Sequence, residues 1–456
     1  LDGIDDNWSE GEILKLATFV QSTADRVLRG FSLDERGFRP KHGPGAVAEE
    51  FYSSKYEFPS WPTRLELEYP FAHWGQINEL EYSNVGHQCE MSGIDNWDVE
   101  VPAKLAYVPK DYKGPRLIAS ESICNQWIQQ GINTQLRQLI AKSVLRHSIN
   151  LADQEPSKQA ALNASVDGRF ATIDLSSASD RLSCAVVECM FRSNYRTLER
   201  FNAARSKGIL IKQRKMTLLC NKFAAQGAAF TFPIQSIAYA IICMGVIQNH
   251  YPKMRMADIG RKVRVFGDDM IVPADMFQPV ALMLTALHLV VNRDKSFHTG
   301  LFRESCGMDA FAGHDVTPAY VKQAAPRLVN PLHTVSVVEC SNNLYHKGFI
   351  RASATLLDTL APNIRRGLAY VPWDSTAFGI QGPNKRARRS RWNSELQRVE
   401  HQVLTVVVKL HRTEVSGSLR LFQWFTENPR PDAIDWQPGE VTKKVALHCN
   451  QWVALG

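Results

Sequence analysis

No apolar run in this sequence reaches the length needed to span a bilayer. The closest, 231–246, is interrupted by Pro233, Gln235 and Ser236, so no membrane association is expected. No CxxC pair occurs among the nine cysteines, which stand singly from Cys89 to Cys449. An odd and scattered set argues against a disulfide framework or a structural zinc site, and points to reduced thiols in a reducing cytoplasm. His87 and Cys89 lie two apart, too little for a metal site. Internal repeats are absent, which excludes solenoids and propellers. Long polar stretches of the disordered kind are absent too. The first residue is Leu1 rather than methionine and no secretory signal follows, so a trimmed product or a fragment is expected.

What is present is an ordinary globular composition, 44% hydrophobic and 22% charged over 456 residues. That length is too great for one simple core, and two or three subdomains are expected. The formal net charge of +7 and a pI near 8.9 suit a polyanionic partner. Many proteins without a nucleic-acid partner are equally basic.

The first half is turn-rich. Two prolines and two glycines in Arg39-Pro40-Lys41-His42-Gly43-Pro44-Gly45 exclude a helix there. The segment 108–116 reads as a loop or strand edge studded with cations. Apolar spacing predicts a helix over 126–147, a short buried strand over 170–175, and a helix over 180–201 with Ser179 as N-cap. A second long helix follows over 231–249, with Pro233 in its tolerant first turn. Alternation in 262–273 around Gly267-Asp268-Asp269 is the clearest hairpin. A helix over 276–288 and a strand over 289–292 complete the middle. Strand, helix, helix, hairpin, helix, strand is close to a ferredoxin-like split βαβ sheet with one extra helix, an α+β arrangement. It would set Asp174, at one strand end, beside the turn at Asp268 and Asp269.

Carboxylates on neighbouring strand ends suit phosphoryl transfer, which needs charge neutralisation and in-line positioning more than covalent help. Two Mg²⁺ ions about 4 Å apart can hold the attacking and leaving oxygens, and magnesium favours a few carboxylates with water and phosphate. Taken singly, Gly267-Asp268-Asp269 reads equally as a hairpin turn, and Asp174 and Asp180 as capping around Ser179. Acidic residues at two strand ends of one sheet fit the capping reading less well.

Here the sequence resembles a known family. Asp174-Leu175-Ser176-Ser177-Ala178-Ser179-Asp180 is similar to motif A of viral RNA-dependent RNA polymerases, Gly227-Ala228-Ala229-Phe230-Thr231-Phe232 to motif B, and Val265-Phe266-Gly267-Asp268-Asp269 to motif C. More narrowly, the chain resembles the replicase β subunits of single-stranded RNA bacteriophages, the leviviruses, of the Q-beta type. The serine-rich motif A, Phe302-Arg303-Glu304-Ser305-Cys306-Gly307, Asp315-Val316-Thr317-Pro318 and His42-Gly43-Pro44-Gly45 carry that likeness, from about Arg39 to about Lys322.

The resemblance implies a right-hand polymerase with a ferredoxin-like antiparallel palm sheet. Fingers would come from 1–167 and an insert at 205–225, the palm from 168–204 (motif A) and 226–325 (motifs B, C and D), the thumb and C-terminal region from 326–456. It implies that Asp174 and Asp268 bind two Mg²⁺ ions, with Mn²⁺ as a substitute, and that Asp269 assists. Asp180 would lie near the incoming ribose and read its 2′-OH. Gly227 and Thr231 match the nucleotide-side loop and helix start of motif B. Related polymerases often have Ser before that glycine and Asn eight residues after it, where this chain has Gln226 and Gln235. Lys110, Lys113 and Arg116 resemble the basic motif F that holds the triphosphate, although the residues alone read as a solvated basic loop. Lys295 matches the motif D lysine that protonates pyrophosphate; it also reads as an exposed lysine after a strand. Arg39 and Lys41 would flank the template path. The run 385–391, with Arg386, Arg388 and Arg389, fits RNA phosphates or a mobile surface loop equally, and Trp392 beside it fits stacking or packing.

The expected function is replication of a single-stranded RNA phage genome from NTPs, in the cytoplasm of an infected bacterium. Template RNA would be joined by host elongation factors Tu and Ts and a small-subunit ribosomal protein. A reverse transcriptase is the rival enzyme. Gly267, where that class has a variable residue, and the ribose-reading Asp180 argue against it. A non-enzymatic RNA-binding protein would use the basic charge but leaves Asp174, Asp268 and Asp269 unexplained.

Overall fold

Seventeen of the twenty residues of the helix Thr231–His250 are buried, on every side. A helix apolar all round belongs inside a core. It runs past the apolar stretch seen in the sequence, and by length and composition it could cross a bilayer, which corrects the expectation that no segment reaches that size. Pro233 does not interrupt it, because a first-turn residue has no intrahelical N–H partner to lose. Here the surrounding protein takes the place of lipid: the helices Glu10–Leu28, Ile123–Lys142 and Phe277–Ala286 pack around it. Glu10–Leu28 starts at a capping box in which the Ser9 side chain and Glu12 satisfy each other's backbone N–H.

This computed structural model describes residues 9–50, 54–56, 58–75, 98–111, 114–320, 331–383, 386–387, 389–412, 414–415, 417–427, 437, 439 and 441–455. His87, Cys89, Lys113, Lys385 and Arg388 lie outside them. The chain divides into two units, Leu1–Thr317 with Val415–Gln437, and Pro318–Glu414 with Pro438–Gly456. The expected C-terminal region 326–456 is thus shared between them.

In the first unit the strands Phe170–Ile173, Asp269–Pro273 and Arg264–Phe266 form an antiparallel sheet with Asp269–Pro273 in the centre. Leu175–Ser176 continues the first strand and pairs with Val290–Val291. This is the α+β order expected from the sequence. The single helix expected over 180–201 is instead the pieces Ala178–Arg181, Cys184–Phe191 and Tyr195–Ala204, joined by a 3-10 turn. Ser183 and Asn194 break it, each accepting a backbone N–H as an N-cap, while Ser179 lies inside a helix and caps nothing. A second sheet joins Ala103–Asp111, Gly114–Ser120, Gly208–Ile211 and Met216–Leu219, so the cationic segment 108–116 belongs to a hairpin.

The loop 39–45 is pinned by its histidine. The His42 ring sits among Tyr56, Phe58 and Trp127, with centroids 5.0, 5.9 and 4.9 Å away. Lys55 Nζ donates to the Gly43 and Gly45 carbonyls at 3.2 and 2.6 Å. Arg39 and Lys41, just before this anchor in the chain, are exposed.

In the second unit the helices Pro331–His346 and Ile350–Leu357 pack together, and Ser390–Asn393, Arg398–Arg412 and Val441–Val453 form an antiparallel sheet. The Glu400 side chain is enclosed between the guanidinium groups of Arg391 and Arg398, at 2.9 and 3.0 Å, and they hold its carboxyl down to about 2.

Burial of the His42 ring pulls its pKa from 6.5 down to about 3. The unfolded chain therefore takes up a proton that the folded chain refuses, and stability is lost as pH falls from 6.5 towards 3. His42→Phe should flatten that acid limb. Unfolding free energies from urea titrations between pH 7 and 5 should fall for the parent by up to about 1.4 kcal/mol per pH unit more than for the variant. Equal slopes would show that the ring titrates freely.

Candidate active site

The sheet register pairs Phe170 with Pro273 and Ile173 with Met270. One step further brings Asp174 level with Asp269. On the other side Phe266 pairs with Asp269, leaving Gly267 and Asp268 as a two-residue hairpin loop. Gly267 has φ +66°, the left-handed value that short hairpin loops require. A Cβ there would also come within 2.6 Å of the Phe232 ring. The Gly267 N–H donates to Ser236 Oγ at 3.0 Å, and that hydroxyl donates to the Phe232 carbonyl at 2.9 Å. Tyr239 donates its hydroxyl to the Ala178 carbonyl at 3.0 Å. The buried helix Thr231–His250 thereby holds both acidic segments.

The structure brings Asp174, Asp268 and Asp269 together. Burial pushes the Asp269 carboxyl up to about 6, with Asp268 and Asp174 adding to the rise and the Cys306 N–H and thiol opposing it. Asp174 is raised as well, first by burial; the hydrogen bond from Asn292 opposes and the Asp268 charge adds. Asn292 Nδ2 donates to Asp174 Oδ2 at 2.9 Å, and the Asp174 N–H donates to Ser296 Oγ at 3.1 Å. Among the described residues, no three His, Cys, Asp or Glu side chains converge as a ready-made metal cage. Two of the three aspartates are instead turned toward protein donors, Asn292 and Cys306.

The segment Phe302–Ser305 and its turn close the site from one side. Arg303 is fully buried and donates to the carbonyls of Phe170 at 2.6 Å, Phe302 at 2.6 Å and Gly300 at 3.0 Å. It thus ties the start of the Asp174-bearing strand to its neighbour. Glu304 pairs with Lys295 at 2.8 Å. That bond raises the Lys295 pKa, burial opposes it, and the charges of Asp174 and Asp269 add to the rise, so the ammonium faces the carboxylates. Cys306 and Gly307, both at positive φ, form the two-residue loop between Phe302–Ser305 and Met308–Phe311.

The other expected residues fall in three groups. Asp180, half exposed, pairs with Lys222 at 2.5 Å. The 221–223 segment is clamped over it, because the Cys184 N–H donates to the Asn221 carbonyl and the Phe223 N–H to the Leu182 carbonyl, at 2.9 and 2.8 Å. Gly227 has φ +120°, and its Cα lies so close to the hairpin strand Gly114–Ser120 that a Cβ would sit 2.0 Å from the Ala119 carbonyl oxygen. The Thr231 hydroxyl donates to the Ala225 carbonyl at 2.7 Å, and Gln129 Oε1 accepts from the Ala229 N–H at 3.1 Å, so Thr231 fastens the loop. Lys110 and Arg116 are exposed on the hairpin whose Ala119 meets Gly227. Arg386 and Arg389 belong to the second unit, where Arg386 exchanges backbone hydrogen bonds with Tyr370 and Arg389 just precedes the strand Ser390–Asn393. That part of the basic run is therefore built into the edge of a sheet. Trp392 is exposed.

Sequence reasoning did not single out Asn292, Ser236, Ser296 or Lys222. Asn292 and Ser296 flank Lys295 and carry no pattern of their own, while Lys222 is 42 residues from its partner. Glu304 and Cys306 stood in a quoted motif without a role. Gly227→Ala forces both a strained φ and a clash with a carbonyl, and should lower stability by about 2–4 kcal/mol in chemical denaturation. A change under about 0.5 kcal/mol would mean that the loop is not held against the hairpin.

Comparisons with known proteins bear on the family. Over 245 residues the chain is 32% identical to the RNA-directed RNA polymerase subunit beta of Qbeta virus (strain MX1), covering 53% of this chain and 38% of that protein. It is 33% identical over 228 residues to the subunit of Enterobacteria phage SP (50% and 37%), and 33% over 222 residues to the beta chain of Escherichia phage MS2 (48% and 38%). The matched stretch thus spans well under half the length of these relatives. Among solved structures, the RNA-dependent RNA polymerase of a human picorbirnavirus matches 57% of this chain and 55% of that one, with a TM-score of 0.40 and 11% identity. The BmCPV RNA-dependent RNA polymerase at elongation state matches 79% and 34%, with a TM-score of 0.40 and 12% identity. Both structural likenesses are loose. A family model described as RNA replicase, beta-chain, matches residues 82–343. Because that match takes in more than half of the chain, with the Asp174 strand end and the Asp268 turn inside it, the chain belongs to the RNA replicase beta-chain family.

Proposed function

We propose that this chain is an RNA-directed RNA polymerase of the single-stranded RNA phage type, joining NTPs on an RNA template at the turn formed by Asp174, Asp268 and Asp269. The observation that carries the reading is the sheet register, which sets Asp174 level with Asp269 beside the Gly267-Asp268 turn; burial, with the Asp268 charge adding to it, raises both Asp269 and Asp174. Like charges gathered at one sheet end suit a site that takes cations. The donors are carboxylate oxygens, which fit Mg²⁺, with Mn²⁺ as a substitute. Two such ions, held by Asp174 and Asp268 with Asp269 assisting, would supply neutralisation of the reacting phosphates.

The chain's own residues do the rest. Arg116, Lys110 and Lys113 offset the triphosphate charge from the hairpin. Lys295, kept protonated by Glu304, has a proton to give the departing pyrophosphate. Asp180, held by Lys222, accepts the ribose 2′-OH. Gly227 lets the backbone approach the nucleotide, and Thr231 keeps that loop in place. Arg39, Lys41, Arg386, Arg388 and Arg389 contact RNA phosphates. In this reading the palm comprises 168–204 and 226–325, the fingers 1–167 and 205–225, and the thumb and C-terminal region 326–456, together a right hand. The place of action is the cytoplasm of an infected bacterium. Host elongation factors Tu and Ts and a small-subunit ribosomal protein are its partners there.

The test is incorporation of labelled NTP on an RNA template with Mg²⁺. The parent should make product, and Asp268→Ala or added EDTA should abolish it. Product from the variant would sink the site assignment. If the parent makes product only after bacterial extract is added, a host partner is required. Continued silence with intact RNA binding would favour a non-enzymatic RNA-binding protein. Asp180→Ala should shift the NTP-to-dNTP ratio of kcat/KM toward dNTP by on the order of tenfold or more, since a site built to bond a hydroxyl rejects the analogue lacking it. An unchanged ratio would place ribose selection elsewhere, and a parent that prefers dNTP would be a reverse transcriptase.

A further inference from the structure

At the opposite end of the Arg264–Phe266 strand from the Gly267 turn lies a cavity of about 250 Å³. Three residues of strand separate Arg264 from Gly267, roughly 10 Å. The helix Glu155–Asp167 forms one wall of the cavity and residues from all three strands of the sheet, Phe170, Ile271 and Arg264, line the other. Four cations line it, Arg169, Arg261, Lys262 and Arg264, against one carboxylate, Asp167.

Two of those cations are already matched. Arg169 pairs with Asp167 at 2.6 Å, and Arg261 with Asp258 at 2.6 Å. The other two are not: among the described residues, neither Lys262 nor Arg264 has a side-chain hydrogen bond or an ion pair. Arg264 is also half-buried, and burial pulls its pKa below the usual arginine value with no carboxylate beside it to oppose the shift. A guanidinium withdrawn from water without an acceptor is costly, and among the described residues no side chain accepts a hydrogen bond from it. An anion entering the cavity would.

The shape of the lining narrows the anion. A guanidinium fork matches two oxygens of a phosphate, and Lys262 adds a point charge beside it. The half-buried Phe170 ring and the buried Ile271 give the same cavity an apolar side on which a base can lie. We propose that this cavity is a second ribonucleotide site, separate from the carboxylate turn, in which Arg264 and Lys262 hold a nucleotide phosphate. Two sources share that chemistry, a free mononucleotide and a phosphate within an RNA strand.

The test uses the full chain in magnesium-free buffer with EDTA, so that the carboxylate turn does not assist binding. Adenosine 5′-monophosphate, adenosine and a short oligoribonucleotide are titrated separately by calorimetry. The mononucleotide should bind and adenosine should not. Arg264→Gln and Lys262→Gln should each weaken binding by about tenfold, the effect of losing one charge-assisted contact. Oligoribonucleotide binding weakened by the same variants, with no mononucleotide binding, would identify an RNA strand as the source and still support the site. The proposal is overturned if the parent binds neither probe, if adenosine binds as well as its phosphate, or if both variants bind like the parent. Lys262, at the rim, keeps the test decisive should Arg264→Gln fail to fold, which circular dichroism would report.

Discussion

Two polar side chains on a largely apolar helix set the geometry on which the site depends. Ser236 holds the Gly267 N–H and Tyr239 holds the Ala178 carbonyl. These residues are three apart, so they project from nearly the same face of the helix. Their hydroxyls fix the Asp268 turn and the segment between Asp174 and Asp180 to one rigid post. Because that post is buried on all sides, neither attachment can slide without disturbing close-packed side chains. The geometry of the candidate site is thus referred to the core and owes little to loop conformation.

Against that rigid support stands electrostatic repulsion. Burial first, and the Asp268 charge after it, raises the proton affinity of Asp174 and Asp269, and the protein answers with individually modest contacts. Asn292 bonds Asp174, Cys306 bonds Asp269, and Lys295 brings an ammonium within range while sharing it with Glu304. Arg303 does something different, since it touches no carboxylate. Its donors are taken up by backbone carbonyls around the start of the Phe170–Ile173 strand, so a charged side chain acts as a structural clamp. Preorganisation in this site is distributed over several elements, and the carboxylates themselves supply little of it.

Much of this was legible in the sequence, for physical reasons that differ by element. The hairpin 262–273 could be read because strand alternation and turn chemistry point the same way around Gly267. The helix Thr231–His250 could be read from its apolar density to within one residue of its end, although the apolar run inside it was judged too interrupted to reach bilayer-spanning length. The break in 180–201 was missed because Ser183 and Asn194 are unremarkable inside an apolar helical pattern and act only through their caps. The hairpin Ala103–Asp111 with Gly114–Ser120 was obscured by its cations and prolines, which look like a loop until the neighbouring strands are present. Pairings such as Asp180 with Lys222, or Lys295 with Glu304, are tertiary facts. No local periodicity encodes them.

The all-round burial of Thr231–His250 has a consequence for how the protein comes into being. This segment leaves the ribosome before the strands Arg264–Phe266 and Asp269–Pro273 and the helix Phe277–Ala286 that later cover it. For that interval it has the length and hydropathy of a membrane anchor with nothing to bury it but the chain already made. Folding of this unit is therefore a race between enclosure and aggregation or capture by other apolar surfaces. The same residues that make the supporting post immovable once folded make the nascent chain vulnerable while it is still being synthesised.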